Sequence, residues 1–235
     1  MDSRLRSLLT ITVILLLFAL YPTVFPRHLN LGISIVLFGA LALAWDVVGG
    51  WAGQLSLGHA AFIGTGAYVM TLLLLNTGLA PWWGFLAAVA AAVVMALIWG
   101  WITFRLRGPY FTLSTIAVAE ILRLVAVNWR QVTGGAQGLF IYDMPPFLGL
   151  DLFDRRVEFY LALGLLAVAL LITWWLSWSR FGYALRAIRE DEDAAMAMGI
   201  KPTRTKLAAF AISGAVTAAG GVLYAIFLSF FEPYG

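Results

Sequence analysis

The sequence contains no cysteine and only two histidines, His28 and His59. Without cysteine, the chain forms no disulfide, provides no thiolate ligand for a metal and has no cysteine nucleophile. Two histidines leave little for a metal site built on imidazole, so we expect neither a metal nor a cofactor. The sequence also lacks a phosphate-binding loop of the Gly-x-x-x-x-Gly-Lys-Ser/Thr type. This absence predicts that the chain neither binds nor hydrolyses ATP itself.

Charged residues are scarce: they make up 11% of the 235 residues, whereas hydrophobic residues make up 62%. This balance lies far outside that of soluble domains. The apolar residues form runs of about 20, the length that crosses a hydrocarbon core about 30 Å thick. The runs cover 8–25, 29–48, 55–75, 82–104, 110–128, 157–178 and 207–231. We therefore predict an all-α, polytopic transmembrane helical bundle of about seven spans, forming a single domain over residues 1–235.

The first run follows two arginines, Arg4 and Arg6, as the apolar part of a secretory signal peptide does. No small-x-small cleavage site follows it, so we interpret it as a membrane span. The net charge of +3 is small and does not indicate nucleic-acid binding.

The distribution of basic residues predicts the orientation of the spans. With the N-terminus in the cytoplasm, the larger group of lysines and arginines lies inside, as the positive-inside rule requires. That group comprises Arg4, Arg6, Arg105, Arg107 and the six basic residues of the loop at 180–206. Only Arg27, Arg130, Arg155 and Arg156 then lie outside.

The loop at 180–206 is the one long charged stretch between apolar runs. Its apolar residues Leu185, Ile188, Ala195 and Met198 recur at helix-face spacing. Asp191 is a typical N-cap residue for a second short helix, and Gly199, followed closely by proline, is a typical end. We predict two short helices joined by an acidic turn. The alternative is a solvated connector whose charges have no specific role.

The order of residue types in this loop resembles the cytoplasmic coupling loop of ABC importer permeases, in the branch that transports branched-chain amino acids. The matching pattern is Gly182-x-x-x-Arg186-Ala187-x-Arg189-Glu190-Asp191-x-x-Ala194-Ala195-x-x-Met198-Gly199-Ile200. Asp193 stands where the generic motif has Glu. In that family the loop docks on the ATP-hydrolysing subunit. The resemblance implies a coupling role for Gly182, Arg186, Ala187, Arg189, Glu190, Asp191, Ala194, Ala195 and Gly199.

A second stretch, 49–62, with Gly64-x-Gly66-Ala67-Tyr68 after it, resembles another signature of the same branch. It places many small residues and a few polar ones at membrane depth, where interrupted helices often mark transport sites. The candidate solute-pathway residues are Gly53, Gln54, Ser56, Gly58, His59, Gly64 and Gly66. The alternative is tight helix packing, with Gln54 and Ser56 as caps. Because Ser56 and His59 are three residues apart, an intramembrane serine hydrolase is a further alternative, but nothing else in the sequence, such as an oxyanion hole, supports it.

Glu120 and Arg123 lie one helical turn apart within the fifth span. Ionisable groups at that depth are candidates for function, and this spacing lets the two pair with each other. The alternative is that Arg123 reaches the outer interface and draws Glu120 with it. The resemblance continues through 107–111 and through the Gly-rich loop at 133–139, which we expect on the outer side.

The resemblance implies the membrane permease subunit of an ATP-driven importer, in the cell membrane of a prokaryote. It implies two ATP-binding cassette subunits, a second permease chain, identical or different, and a solute-binding protein as partners, besides membrane lipid. Permeases of the family continue beyond the point where this sequence stops, so we expect the sequence to be C-terminally truncated. Urea or short amides are the alternative substrates, since their permeases share the architecture. A non-transporting scaffold is the alternative from another class.

Overall fold

The computed structural model of the chain describes residues 3–78, 80–106, 108–142, 144–146 and 149–233. Arg107, counted above among the basic residues expected in the cytoplasm, lies outside the described residues. Among the described residues, seven helical stretches are long and apolar enough to cross a membrane. They are Arg4–Val24, Pro26–Trp51, Ala60–Thr77, Pro81–Thr103, Pro109–Asn128, Arg155–Trp178 and Pro202–Leu228. The predicted all-α polytopic bundle is confirmed.

The α-helices are α1 (Ser3–Ala19), α2 (Tyr21–Val24), α3 (Leu29–Asp46), α4 (Ala60–Thr77), α5 (Pro81–Thr103), α6 (Pro109–Asn128), α7 (Arg130–Thr133), α8 (Arg155–Trp178), α9 (Arg180–Glu190), α10 (Glu192–Ala197) and α11 (Pro202–Leu228). Short 3₁₀ turns cover Pro26–His28 and Gly135–Gln137, and a π turn covers Val47–Trp51. Two short antiparallel strands, β1 (Leu139–Phe140) and β2 (Phe230–Phe231), pair Leu139 with Phe231.

Proline and glycine set several helix ends. Pro81, Pro109 and Pro202 occupy the first position of α5, α6 and α11, where the missing N–H has no intrahelical partner to lose. Gly78 takes a left-handed backbone conformation (φ +63°) and ends α4. These local signals explain why the hydropathy runs and the helices agree closely in number and position.

The bounds of three spans differ from the prediction by four residues or more. The first span begins at Arg4 rather than at 8. The third span begins at Ala60 rather than at 55, because residues 52–59 leave the helical conformation. The seventh covers Pro202–Leu228 rather than 207–231. Its first turns carry Arg204 and Lys206, so hydropathy alone places the start too late, and Phe230–Phe231 form a strand instead of a last turn.

Helix α11 is the centre of the bundle and packs against α3, α4, α5 and α8. In its most apolar 18-residue window 61% of the residues are buried, compared with 11% for α6. Glycine permits the closest approach, since a Cβ on Gly66 of α4 would collide with the Ala218 carbonyl of α11. Small residues at such crossings are typical of helix packing in membranes.

One end of the bundle gathers the charged loop and the N-terminal turn. The Arg4 guanidinium lies 5.1 Å from the ring centroid of Trp178, at the junction of α8 and α9. The N-terminal turn and the 180–206 loop therefore share one side of the bundle, as the distribution of basic residues requires. That this side is cytoplasmic remains a prediction. The β1–β2 pair lies at the opposite end, which we call the far end.

Candidate functional site

Helices α9 and α10, here called the α9–α10 unit, are defined by local capping bonds. The Ser179 hydroxyl accepts a hydrogen bond from the Gly182 N–H (3.0 Å). Asp191 Oδ1 accepts from the N–H groups of Asp193 and Ala194, both at 2.9 Å. Gly199 follows in a left-handed conformation (φ +85°). The predicted pair of short helices with an Asp191 cap is confirmed.

Of the four residues in the predicted apolar stripe of the unit, three are buried and one is exposed. Leu185, Ile188 and Ala195 are buried in this chain, whereas Met198 is 84% exposed. Ala195 therefore packs inside the chain and is not available to a partner. The exposed surface of α10 and its C-terminal turn is made by Asp193, Ala194, Met196, Ala197, Met198 and Gly199.

A buried ion pair anchors α10 to α11. Lys206 is 1% exposed, and its Nζ donates to both carboxylate oxygens of Glu192 at 2.9 Å. The same Nζ lies 5.6 Å from the ring centroid of Phe104 on α5. The sequence indicated Lys206 only as a loop charge and Glu192 only as an acidic residue suited to a helix N-terminus. The partners are 14 residues apart, so no helical spacing marked them.

Two arginines attach α9 to the π turn at the end of α3. The Arg186 guanidinium lies 5.0 Å from the Trp51 ring and donates from Nη2 to the Ser177 carbonyl (3.1 Å). Arg189 donates from Nη1 to the Gly50 carbonyl (3.0 Å), across 139 residues of sequence. A Cβ added to Gly53 would lie 2.5 Å from Arg189 Cγ, so the two backbones approach closely. The unit is thereby fixed against the stretch that leads into residues 52–59.

Residues 52–59, here called the break segment, are non-helical, and side chains of α3 and α6 hold their backbone. The Trp45 Nε1–H of α3 donates to the Ser56 carbonyl (2.7 Å). On α6, Thr112 donates to the Leu55 carbonyl (2.8 Å) and Thr115 accepts from the Leu57 N–H (3.1 Å). Irregular backbone within a membrane protein needs such partners in the protein.

His59 connects the break segment to α11. Ser213 donates its hydroxyl hydrogen to the Ala44 carbonyl (2.6 Å), so a neutral His59 ring donates from Nε2 to Ser213 Oγ (2.8 Å). Nδ1 then accepts from the Ser56 hydroxyl (3.0 Å). Both ring nitrogens are thus used within the chain. Ser213 was missed, because 154 residues separate it from His59.

The geometry does not support hydrolysis at Ser56. Its side chain points at His59, as a dyad requires, but Ser56 is 1% exposed. The cavity beside it, also lined by Thr103 and Thr115, measures about 10 Å³, which holds about one water molecule and no substrate.

The other candidate pathway residues do not surround one common pocket. Gly58 packs against the Thr115 carbonyl and Gly66 against α11, whereas the space around Gly64 is open. Gln54 turns its side chain back to the Ala52 carbonyl (3.3 Å). Tight packing accounts for Gly58 and Gly66, and a role of the whole set in the solute pathway stays a prediction.

Glu120 and Arg123 form the predicted pair. Arg123 donates from Nε to Oε2 (2.8 Å) and from Nη2 to Oε1 (2.6 Å), a two-point contact. The pair lies on a face of α6 that points away from the bundle. The exposed apolar neighbours on this helix include Leu113, Ile116, Ile121 and Leu124. An ion pair on a lipid-facing surface is unfavourable.

A groove of about 440 Å³ lies between α5, α8 and α11 towards the far end. Its lining includes Trp82, Phe85, Tyr160, Gly164 and Val222. None of its lining residues, all of which the structure describes, is charged. The groove therefore offers no charged side chain to pair with the ammonium or carboxylate group of an amino acid.

Comparison with known proteins gives a consistent result. The family model described as "Branched-chain amino acid transport system / permease component" matches residues 28–235. The high-affinity branched-chain amino acid transport system permease protein LivM of Salmonella typhimurium is 30% identical, over 98% of this chain and 60% of its own length. LivH of Escherichia coli, from the same kind of system, is 24% identical over 84% of this chain and 69% of its own length.

A third relative is the autoinducer 2 import system permease protein LsrC of Klebsiella pneumoniae, 26% identical over 62% of this chain and 39% of its own length. All three are named as permeases, not as enzymes. The chain spans about 60% of the length of the LivM proteins that it matches. No solved structure matches it significantly. The family match also covers the second span, where sequence reasoning found no signature.

Proposed function

We propose, from the premise that this chain belongs to the family of permease components of branched-chain amino acid transport systems, that it forms part of the membrane pathway of an ATP-driven importer for these amino acids. The premise rests on the family match over residues 28–235. Seven membrane-spanning helices make the chain a multi-pass protein of the cell membrane. A binding protein delivers the solute at the far end, where the Gly134–Gly138 loop lies.

The α9–α10 unit is the proposed docking site for an ATP-binding cassette subunit, one copy for each permease chain. The observation that carries this proposal is the anchoring of the unit: a solvated connector has no need of a buried Lys206–Glu192 ion pair or of an Arg189–Gly50 bond. The anchored unit presents exposed Met196 and Met198. Exposed methionines on a rigid support are typical of surfaces that bind another protein.

The outward face of α6 is the proposed contact with a second permease chain. Placing the Glu120–Arg123 pair of that face against lipid costs much free energy, whereas placing it against protein or a water-filled pathway costs less. Two such faces together would enclose a path between the chains.

The proposal is tested by Met198→Asp. Met198 is largely exposed, so the variant inserts and folds normally, but it places a charge in a contact that excludes water. We expect association with the ATPase subunit to weaken by about tenfold or more, as for a residue at the centre of an interface. Co-purification from solubilised membranes measures it.

Ala136→Asp is the matched control, because Ala136 is exposed at the far end. It should leave co-purification with the ATPase unchanged. Equal co-purification of Met198→Asp and the unaltered chain would overturn the docking proposal. Ala195→Asp is a poorer test, since Ala195 is buried and the charge would disrupt the unit itself. Binding of amino acids and urea to the associated binding protein decides between the two substrate classes.

A further inference from the structure

We infer that the break segment transmits movement of the α9–α10 unit to α6, and that Thr112 and Thr115 are the positioning residues that receive it. The inference rests on the proposed function, in which an ATPase displaces the unit. It assigns a role to contacts that family membership leaves unexplained.

The first link is the contact between α9 and the entrance to the break segment. Arg189 holds the Gly50 carbonyl at 3.0 Å, and its side chain fills the space where Gly53 would carry a Cβ. Gly53 has a positive φ (+66°), which glycine adopts without strain. Because no gap separates the two, a displacement of α9 displaces this stretch of backbone.

The second link is the break segment itself. The Gln54 N–H bonds to the Val48 carbonyl (3.0 Å), which closes the segment onto the π turn. Few residues separate Gly53 from Leu57, and side chains of neighbouring helices hold the backbone between them. Such a short, hydrogen-bonded stretch moves largely as one piece.

The third link is a two-point attachment to α6. Thr112 donates to the Leu55 carbonyl and Thr115 accepts from the Leu57 N–H, so the two bonds run in opposite directions about one helical turn apart. Gly58 lies directly against the Thr115 carbonyl, where a larger residue would collide. Translation of the break segment therefore acts on α6 at two successive turns.

The contacts of helix α6 allow it to tilt when the break segment moves. Its buried residues are Phe111 and Thr115, both in its first two turns. Phe111 stacks on Phe104 (5.0 Å between centroids) and so provides a pivot beside the threonine attachment. The helix has 20 residues and is about 30 Å long. A small tilt at the anchored end becomes a larger shift at Glu120 and Arg123.

A purely structural role would be to satisfy the polar backbone of the break segment. That role predicts loss of folding and of assembly when the bonds are removed. Transmission instead predicts that assembly and ATP hydrolysis persist while the movement of α6 and the uptake of solute are lost. The two are separable by experiment.

The test is the double variant Thr112→Val/Thr115→Val, which removes both hydroxyls and keeps the side-chain shape. The matched control is Ser114→Ala on the same helix, whose hydroxyl bonds only to the Phe111 carbonyl of α6 in the described structure (2.7 Å). In the complex with ATPase and binding protein, we expect leucine uptake per ATP hydrolysed to fall by about tenfold in the double variant. The control should transport normally.

A second readout follows α6 directly. The chain has no cysteine, so Leu124→Cys, on the exposed face of α6, supplies a single thiol. Its labelling rate should change when ATP and vanadate trap the complex, and this response should disappear in the double variant. An unchanged response there, uptake within about twofold of the control, or no response in the unaltered complex would overturn the inference.

The two proposals fail in different ways. If the complex takes up no branched-chain amino acid but Leu124→Cys still responds to nucleotide only when both threonines are present, the substrate is wrong and the transmission stands. If uptake is normal in the double variant, the transmission is wrong and the substrate stands.

Discussion

The α9–α10 unit and the break segment both interrupt the succession of apolar helices, but different contacts hold them. The helices of the unit are capped by its own residues Ser179 and Asp191, and a few further contacts attach the unit to the bundle. The break segment takes its bonds from Trp45, Thr112 and Ser213, the last through His59. A segment with its own caps keeps its shape when it is pushed. A segment held by its neighbours is displaced when they move, so the first suits docking and the second suits transmission.

The largest expected effect concerns the buried anchor of the unit. Glu192→Gln leaves Lys206 buried without a counter-charge, which should destabilise the protein by about 3–5 kcal/mol. Glu190→Gln is the control, because the Glu190 side chain is 75% exposed and its pairing with Arg189 contributes at most about 1 kcal/mol. Thermal unfolding in mild detergent measures both, and equal shifts would contradict the role of Lys206 as an anchor.

An intermediate effect is expected in the break segment. Ser213→Ala removes the partner of His59 Nε2 and the donor to the Ala44 carbonyl, at a cost of about 1–3 kcal/mol. Amide hydrogen exchange of residues 54–57 should accelerate. Ser34→Ala, whose hydroxyl returns to Asn30 of its own helix, should change stability by no more than about 0.5 kcal/mol. The comparison fails if the break segment exchanges at the same rate in both variants.

The smallest effect is expected at the local cap. Asp191→Ala removes the bonds to two N–H groups and should cost about 1 kcal/mol, whereas Asp191→Asn keeps an acceptor and should cost less. Exchange should accelerate in residues 192–195 and stay unchanged in residues 54–57. Faster exchange in both regions would mean that the unit is not held by its own caps.

These differences also explain which features of the fold and of the candidate site can be predicted from the sequence. Hydropathy predicts the seven spans because each span must cross the same bilayer thickness. Asp191 and Gly199 can be recognised from the sequence as capping residues because capping acts over a few residues. The apolar stripe was predicted to include Met198, which instead lies exposed beyond the end of α10. Helical spacing gives the face of a residue only while the helix continues.

The long-range contacts that hold the two regions in the bundle could not be predicted. Arg189 and Gly50, or His59 and Ser213, become neighbours only through helix packing, and a single sequence carries no periodic signal for such pairs. The start of α4 at Ala60 has the same cause, since the apolar residues before it suit a helix and long-range hydrogen bonds hold them in another conformation.

The central claim is that the α9–α10 unit docks on a cytoplasmic ATPase, and labelling of a single cysteine tests it most directly. Met198→Cys and Gln137→Cys each supply the sole thiol of the chain, at opposite ends of the bundle. An impermeant maleimide should reach Met198→Cys only from the cytoplasmic side, slowly while the ATPase is bound and quickly once it is removed. It should reach Gln137→Cys only from outside, at a rate that the ATPase does not change. Labelling of Met198→Cys from outside, or at one rate with and without the ATPase, would contradict the account.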